Sequence, residues 1–257
     1  MSAVALPTTP SFRLDGKKAL VTGAGRGLGM AAAAALAQAG AEVVLAARSR
    51  GEIDEAAAAI VAAGGKASAI VLDVTDRAGM EAAVAMSGPF DILFNNAGTN
   101  RPKPIWEVTE EDYDAVLDLN LKASFFVARA VAIGMRDAGI RGSIIHMSSQ
   151  MGHVGGPNRS LYCASKWGME GINKAFALDL APYGIRSNTI APTFIETPMT
   201  KPFFENRAFL DSVLAKIKLG RLGQVEDIMG ALVFLASDAS ALITGTSILV
   251  DGGWTAD

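Results

Sequence analysis

Histidine and cysteine are nearly missing from this chain: among 257 residues there are two histidines and one cysteine. A single thiol, Cys163, excludes an intrachain disulfide and fits a reducing compartment, so the cytoplasm is the expected location. Two imidazoles and one thiol supply no recognisable metal-ligand spacing, and no metal is expected. Positive charge is not in excess either: 23 Lys and Arg stand against 26 Asp and Glu, for a net charge of -3. The basic residues are scattered among acids, so no nucleic-acid partner is expected. Long apolar runs are also lacking. The most apolar stretch, residues 30–47, is broken by Gln38, Gly40 and Glu42, and nothing reaches the roughly 20 residues of a spanning helix. The first dozen residues carry neither a basic cluster nor an apolar segment of signal-peptide length.

What is present is a chain that is 50% apolar, enough to bury a large core. After a short leader (1–12, expected to be flexible), strand-like runs alternate with helical ones. Strands are expected at 18–22, 43–46, 67–72, 92–94, 143–147, 185–190 and 247–250. Helices are expected at 28–39, 55–63, 80–86, 110–136, 161–180 and 225–235. The strands read as continuous apolar runs, the pattern of strands buried on both faces. Regular β-α alternation predicts an α/β fold: a doubly wound, Rossmann-like parallel sheet of about seven strands with helices on both faces. No linker divides it, so one catalytic domain, 1–257, is expected. Residues 196–214 read as an irregular connection long enough to cover a substrate.

The first strand runs into Thr22-Gly23-Ala24-Gly25-Arg26-Gly27-Leu28-Gly29 and then a helix. A strand-to-helix turn poor in side chains lets backbone N–H groups approach a pyrophosphate, and the helix N-terminus favours its charge. The spacing is G-x-x-x-G-x-G rather than the G-x-G-x-x-G fingerprint. Where a carboxylate would bind the ribose hydroxyls, at the end of the second strand, this chain has Arg48. A guanidinium there suits a 2′-phosphate, and Arg26 adds a second positive charge, so NADP is expected over NAD, with NAD as the alternative.

Tyr162 and Lys166 stand at i and i+4 of a helical run and share a face. An ammonium beside a phenol of reference pKa about 10, together with a cationic nicotinamide ring, favours the phenolate and tunes it for proton transfer.

Taken together, these segments resemble the short-chain dehydrogenase/reductase family over nearly the whole chain, 14–254. The glycine turn is similar to that family's T-G-x-x-x-G-x-G signature, and Asn95-Asn96-Ala97-Gly98 to its N-N-A-G segment. Ser149, thirteen residues before Tyr162, stands where the family has its catalytic serine, and Asn120 where it has the fourth member of its tetrad. The resemblance implies that Ser149 bonds the substrate oxygen, Tyr162 exchanges its proton, Lys166 binds the nicotinamide ribose, and Asn120 holds a relay water. It implies cofactor contacts from Gly23, Gly25, Arg26, Gly27, Leu28, Asp73, Val74, Asn96, Ala97 and Gly98. Pro192, Ile195 and Thr197 match the stretch that holds the carboxamide, with Thr193 standing where the family usually has glycine. The tail, residues 250–254, resembles the family's last strand, which commonly packs in a homotetramer.

His146, inside an apolar strand, reads as a packing residue. Gln150 and His153 are candidates for substrate contact, and Asn158 and Arg159 add polar character suited to a hydroxylated or carboxylated substrate. Arg101, Lys201 and Arg207 read as solvent-facing. The expected function is interconversion of a small secondary alcohol, polyol or sugar-derived, and its ketone. The rivals are a 3-oxoacyl carrier-protein reductase and a regulator that senses NADP without turnover.

Overall fold

The computed structural model describes residues 5–256. Seven strands form one wholly parallel sheet in the order β3-β2-β1-β4-β5-β6-β7. In chain order they are β1 (Lys18–Thr22), β2 (Glu42–Ala47), β3 (Lys66–Val71), β4 (Ile92–Asn95), β5 (Ser143–Met147), β6 (Arg186–Pro192) and β7 (Ser247–Val250). The helices are α1 (Gly27–Gln38), α2 (Arg50–Ala62), α3 (Arg77–Met86), α4 (Glu110–Leu117), α5 (Ser124–Asp137), α6 (Ser160–Leu180), α7 (Arg207–Leu214) and α8 (Glu226–Ala236). Strand order reverses between β1 and β4, and the chain leaves that point in opposite directions on the two faces. The crevice opened there, beyond the carboxyl ends of the strands, is where open α/β sheets bind ligands.

Each face of the sheet carries its own core. On one, Val21, Val43 and Leu45 pack with Ala32, Ala33 and Leu36 of α1, Ile53 and Ile60 of α2, and Leu232 and Leu235 of α8. On the other, Leu20, Leu93 and Ile144 pack with Met80 of α3 and Val127, Val131 and Met135 of α5. Continuous apolar runs thus mark the five inner strands, which are buried almost throughout. The two edge strands differ: β3 (KASAIV) and β7 (SILV) keep several residues partly open, because an edge has one neighbour instead of two.

Several boundaries depart from the sequence expectation. Helix α2 begins at Arg50 instead of 55, because burial of Ile53, Ala56, Ala57 and Ile60 sets its inner face. The expected helix at 110–136 is interrupted: α4 opens with a Thr109/Asp112 capping box, and Asp118–Ala123 winds as a wider π turn before α5. The segment 196–214 is largely helical, with a 3-10 turn at Lys201–Glu205 followed by α7. Asn206 caps α7 by accepting from the Phe209 N–H, and Phe194 packs against Phe204, Phe209 and Trp254. Of the leader, residues 5–12 run exposed without helix or strand, though Phe12 packs on Phe234; residues 1–4 lie outside the described residues.

Candidate active site

At the switch point the glycine turn is built by close backbone approach. Gly23 and Gly27 adopt left-handed φ values of 63° and 55°, which side chains disfavour. A side chain at Gly29 would run into the Gly23 carbonyl oxygen, and one at Gly23 into Ala97 and the Asn96 amide. The Asn95–Gly98 segment after β4 braces this turn. The Asn96 side chain donates to the Thr22 and Gly23 carbonyls, while the Thr22 hydroxyl accepts from the Asn96 and Ala97 N–H groups. The first asparagine, Asn95, is buried and ties β4 to Ser124.

One cleft of about 540 Å³ extends from this turn across the ends of β1, β4, β5 and β6. That volume lies in the range that encloses small ligands. It is lined by Gly23, Gly25, Arg26, Gly27, Leu28, Arg48, Asp73, Val74, Asn96, Ala97, Gly98, Ser149, Gln150, Tyr162, Lys166, Pro192, Ile195 and Thr197. The structure thus gathers every residue expected to contact cofactor. Asp73 is fixed by Thr75, whose N–H and hydroxyl both donate to it; these bonds hold the carboxyl below its ordinary pKa, and the charge of nearby Arg48 adds to that. Thr193 keeps an ordinary backbone, its N–H bonded to the Val250 carbonyl, so no glycine is needed there.

Glu52 also lines this end and escaped the sequence reading. It lies against Gly25, and Arg26 pairs with it at 3.5 Å. Arg26 is therefore partly neutralised, which leaves Arg48 as the cation at this end of the cleft that no salt bridge among the described residues opposes. The signal was the position of Glu52 in the first turn of α2, one helical turn after Arg48.

At the other end stand the groups expected to do chemistry. Lys166 is 6% exposed, and its Nζ donates to the Met147 carbonyl at 2.7 Å. Burial lowers its pKa to about 8, against the charge of Glu170, which raises it. The ammonium stands 5.5 Å from the Tyr162 ring centre. The phenol itself is pushed up from its ordinary value by burial, with the Ser149 hydroxyl's hydrogen bond and the Arg159 charge opposing. Helix spacing predicts a phenol lowered by its lysine; in the protein alone burial has the larger effect and raises it, and the opposing influences are Ser149 and Arg159, not Lys166. The Ser149 hydroxyl donates to Gln150 Oε1 at 2.9 Å and accepts from the Met151 N–H at 3.2 Å.

Asn120 and His153 are not among the residues that line the cleft. The Asn120 amide donates to the Thr99 carbonyl at 2.8 Å and to the Ser165 hydroxyl at 3.1 Å, and its carbonyl oxygen accepts from the Thr99 N–H. Ser165 in turn donates to the Tyr162 carbonyl, so the Asn120 side chain braces the first turn of α6. His153 turns away altogether: Nε2 meets the Ser247 hydroxyl at 3.0 Å and Glu170 at 3.4 Å, because the short 3-10 turn at Gln150–Gly152 reverses the chain before it. His146, in contrast, is wholly buried as expected, and burial lowers its pKa to about 3, so it is neutral.

Five buried side-chain polar atoms lack a partner among the described residues, on Asn100, His146, Ser148, Arg159 and Thr193. All but that of His146 belong to residues lining this cleft. Orphaned polar groups carry a desolvation cost unless a ligand meets them, so the cleft is built for polar ligands. Among the described residues no cluster of His, Cys, Asp and Glu could hold a metal, and no helix is long and apolar enough to cross a membrane.

The family model described as enoyl-(acyl carrier protein) reductase matches residues 23–255. The chain is 40% identical over 248 residues to gluconate 5-dehydrogenase of Gluconobacter oxydans (strain 621H), covering 95% of this chain and 96% of that protein. Among solved structures, a gluconate 5-dehydrogenase from Burkholderia cenocepacia J2315, in complex with NADP and tartrate, superposes with a TM-score of 0.92 at 38% identity, covering 96% of this chain and 98% of that one. A short-chain type dehydrogenase/reductase from Mycobacterium marinum superposes with a TM-score of 0.90 at 36% identity, covering 96% and 98%. With the glycine turn, its N-N-A-G brace and the serine, tyrosine and lysine all opening on one cleft, and such likeness along nearly its full length, the chain belongs to the short-chain dehydrogenase/reductase family.

Proposed function

We propose that this protein is an NADP(H)-dependent oxidoreductase that interconverts a small secondary alcohol, polyol or sugar-derived, and its ketone. The observation that carries this reading is the single cleft that joins a glycine cradle to Ser149, Tyr162 and Lys166. The cradle fits a dinucleotide: left-handed glycines present backbone N–H groups at the start of α1, and Arg48 stands where a 2′-phosphate would lie. When bound, the cofactor supplies or accepts the hydride. In the reducing direction, Tyr162 gives its phenolic proton to the substrate oxygen, and the Ser149 hydroxyl holds that oxygen by a hydrogen bond. The phenolate left behind is stabilised by the Lys166 ammonium, whose remaining protons are free to bond ribose hydroxyls, and solvent returns the proton. Oxidation reverses each step.

Asn120 acts here by bracing α6 through Ser165. The whole chain works as one catalytic unit, in which Thr197, Met199, Thr200 and Phe203 from segment 196–214 form the substrate side of the cleft. A homotetramer in the cytoplasm is the assembly and location this reading carries; the exposed side chains of Trp106, Leu178 and Leu242 suit burial against further copies.

A carrier-protein reductase would need a basic docking surface. Several surface cations are instead occupied at home: Arg101 and Lys103 pair with Asp112, Arg207 with Asp211 and Arg221 with Asp227. The test is NADPH consumption with a small diketone and with polyols, measured beside NADH. Wild-type protein should favour NADPH by at least about tenfold in kcat/KM, and Arg48→Ala should erase most of that preference, as loss of a charge-assisted bond worth about 1.5–3 kcal/mol requires. A preference for NADH, or an Arg48→Ala variant that discriminates as before, would overturn the NADP assignment; no turnover with any carbonyl would leave only a sensor.

A further inference from the structure

Arg159 is a charged side chain for which the reaction described above has no use. It is 7% exposed, lines the cleft, and its buried Nη1 has no hydrogen-bond partner. Among the described residues no carboxylate lies within ion-pairing distance of it. Its guanidinium carbon stands 5.4 Å from the centre of the Phe203 ring. Several surface arginines in this protein find an acid, as Arg101, Arg207 and Arg221 do. Burial without a counter-charge disfavours a cation strongly, and burial does lower the Arg159 pKa. A guanidinium nonetheless stays protonated, so the cleft holds a permanent, unneutralised positive charge.

The backbone places that charge deliberately close to the chemistry. Asn158 is the one non-glycine residue among those described with a positive φ, at 59°, and its carbonyl accepts from the Lys103 N–H. This turn delivers Arg159 to the N-terminal end of α6, three residues before Tyr162 and so on the same side of the helix. Its neighbours are the Tyr162 phenol, Gly156 and Phe203, at the substrate end of the cleft; the 2′-phosphate site at Arg48 lies beyond the glycine turn. Asn100 and Thr193 line the same cleft with buried oxygens that lack donors. An anion is required to neutralise the guanidinium, and hydroxyls are required to satisfy the oxygens.

We propose that Arg159 is a specificity-determining residue that binds the carboxylate of a polyhydroxylated acid, so that the preferred substrates are sugar acids and not neutral polyols or sugars. The guanidinium presents two parallel N–H groups to the two carboxylate oxygens while the carbon oxidised or reduced lies at Tyr162. This deepens the proposed function and rests on it for turnover, though not for binding.

The experiment uses two aldonates and their neutral alditols, gluconate with sorbitol and threonate with threitol. In wild-type protein kcat/KM should favour an aldonate over its alditol by about 100-fold, the discrimination expected of a charge-assisted bidentate pair. Arg159→Met should collapse that ratio to within about threefold of unity, and Arg159→Lys should retain part of it. Calorimetry on the NADP-loaded Tyr162→Phe variant, with and without Arg159→Met, reads binding apart from chemistry; thermal melts confirm that each variant is folded. Turnover with a ratio near unity in wild type, or a ratio unmoved by Arg159→Met, overturns the proposal and leaves the proposed function standing. Aldonate binding lost in Arg159→Met, without turnover in wild type, upholds the carboxylate site and overturns the proposed function. Failure of both aldonates to bind overturns the carboxylate site.

Discussion

Replacing Gly29 by alanine should damage cofactor binding without touching any polar group of the site. The added methyl would enter the space of the Gly23 carbonyl oxygen and lie 2.8 Å from the Asn96 amide nitrogen. Neither neighbour is a flexible side-chain end: Gly23 is backbone in a left-handed turn, and Asn96 is held by two carbonyl acceptors. The turn must therefore move, and overpacking of this kind costs about 1–3 kcal/mol. Because the moving atoms are those that would cradle the pyrophosphate, the strain appears in binding, as an NADPH dissociation constant raised about 5- to 100-fold. Gly134 is the control. It lies in α5 with nothing within 4 Å of a Cβ and no positive φ, so alanine there should stabilise by about 0.5–1 kcal/mol through helix propensity alone. Fluorescence titration of NADPH and thermal melts on both variants decide the matter. A Gly29→Ala protein that binds NADPH within twofold of wild type would refute the assignment of this turn as the cradle.

Lys166 and Asp112 both have lowered pKa values, so stability rises with pH through each window, but removing the side chain stabilises in the first case and destabilises in the second. Lys166 is lowered to about 8 by burial, so kcat/KM for NADPH should fall with a one-proton slope above a midpoint near pH 8, and a flat profile to pH 9.5 would contradict the role given to its ammonium. Between pH 8 and about 10.4 the unfolded chain binds the lysine proton more tightly than the folded one, so stability rises with pH across that window. Lys166→Met should accordingly raise the melting temperature most at pH 7, with the gain shrinking toward pH 10. Asp112 is held well below the carboxylate range, first by the Lys103 ammonium and then by the Thr109 N–H. Its contribution is complete above the unfolded pKa of about 3.9 and is lost as pH falls through the folded value. Asp112→Asn should lower the melting temperature at pH 7, with a smaller penalty at pH 3; an equal penalty at both would show that charge is not the cause.

The sheet and the cofactor end were readable because they depend on local sequence. A glycine turn has to follow its strand directly, a buried strand has to be apolar, and a tyrosine four residues before a lysine shares its helix face wherever the helix goes. The parts that were not legible depend on contacts between distant segments. Asn120 was marked only by its place in the long helical region, and the path of residues 98–99 past the π turn shows that Thr99 takes up its amide. His153, four residues after Ser149, seemed near enough to touch substrate until the Gln150–Gly152 turn sent it to Glu170 on α6 and Ser247 on β7. The helical segment 201–214 packs through Phe204 and Phe209 on Phe194, which lies outside it in sequence and itself packs on Trp254. Arg159 was visible as a polar residue near the loop, but its missing partner could be recognised only once every acid had a position.

The account depends on Tyr162 as the proton donor in a cleft that binds NADPH independently of it. Single-turnover oxidation of NADPH by a small diketone, followed by stopped flow in wild-type and Tyr162→Phe protein beside equilibrium titration of NADPH, measures both halves at once. The account predicts a dissociation constant within about threefold of wild type and a rate lowered by about 10²- to 10⁴-fold. A variant that oxidises NADPH within tenfold of the wild-type rate would contradict it.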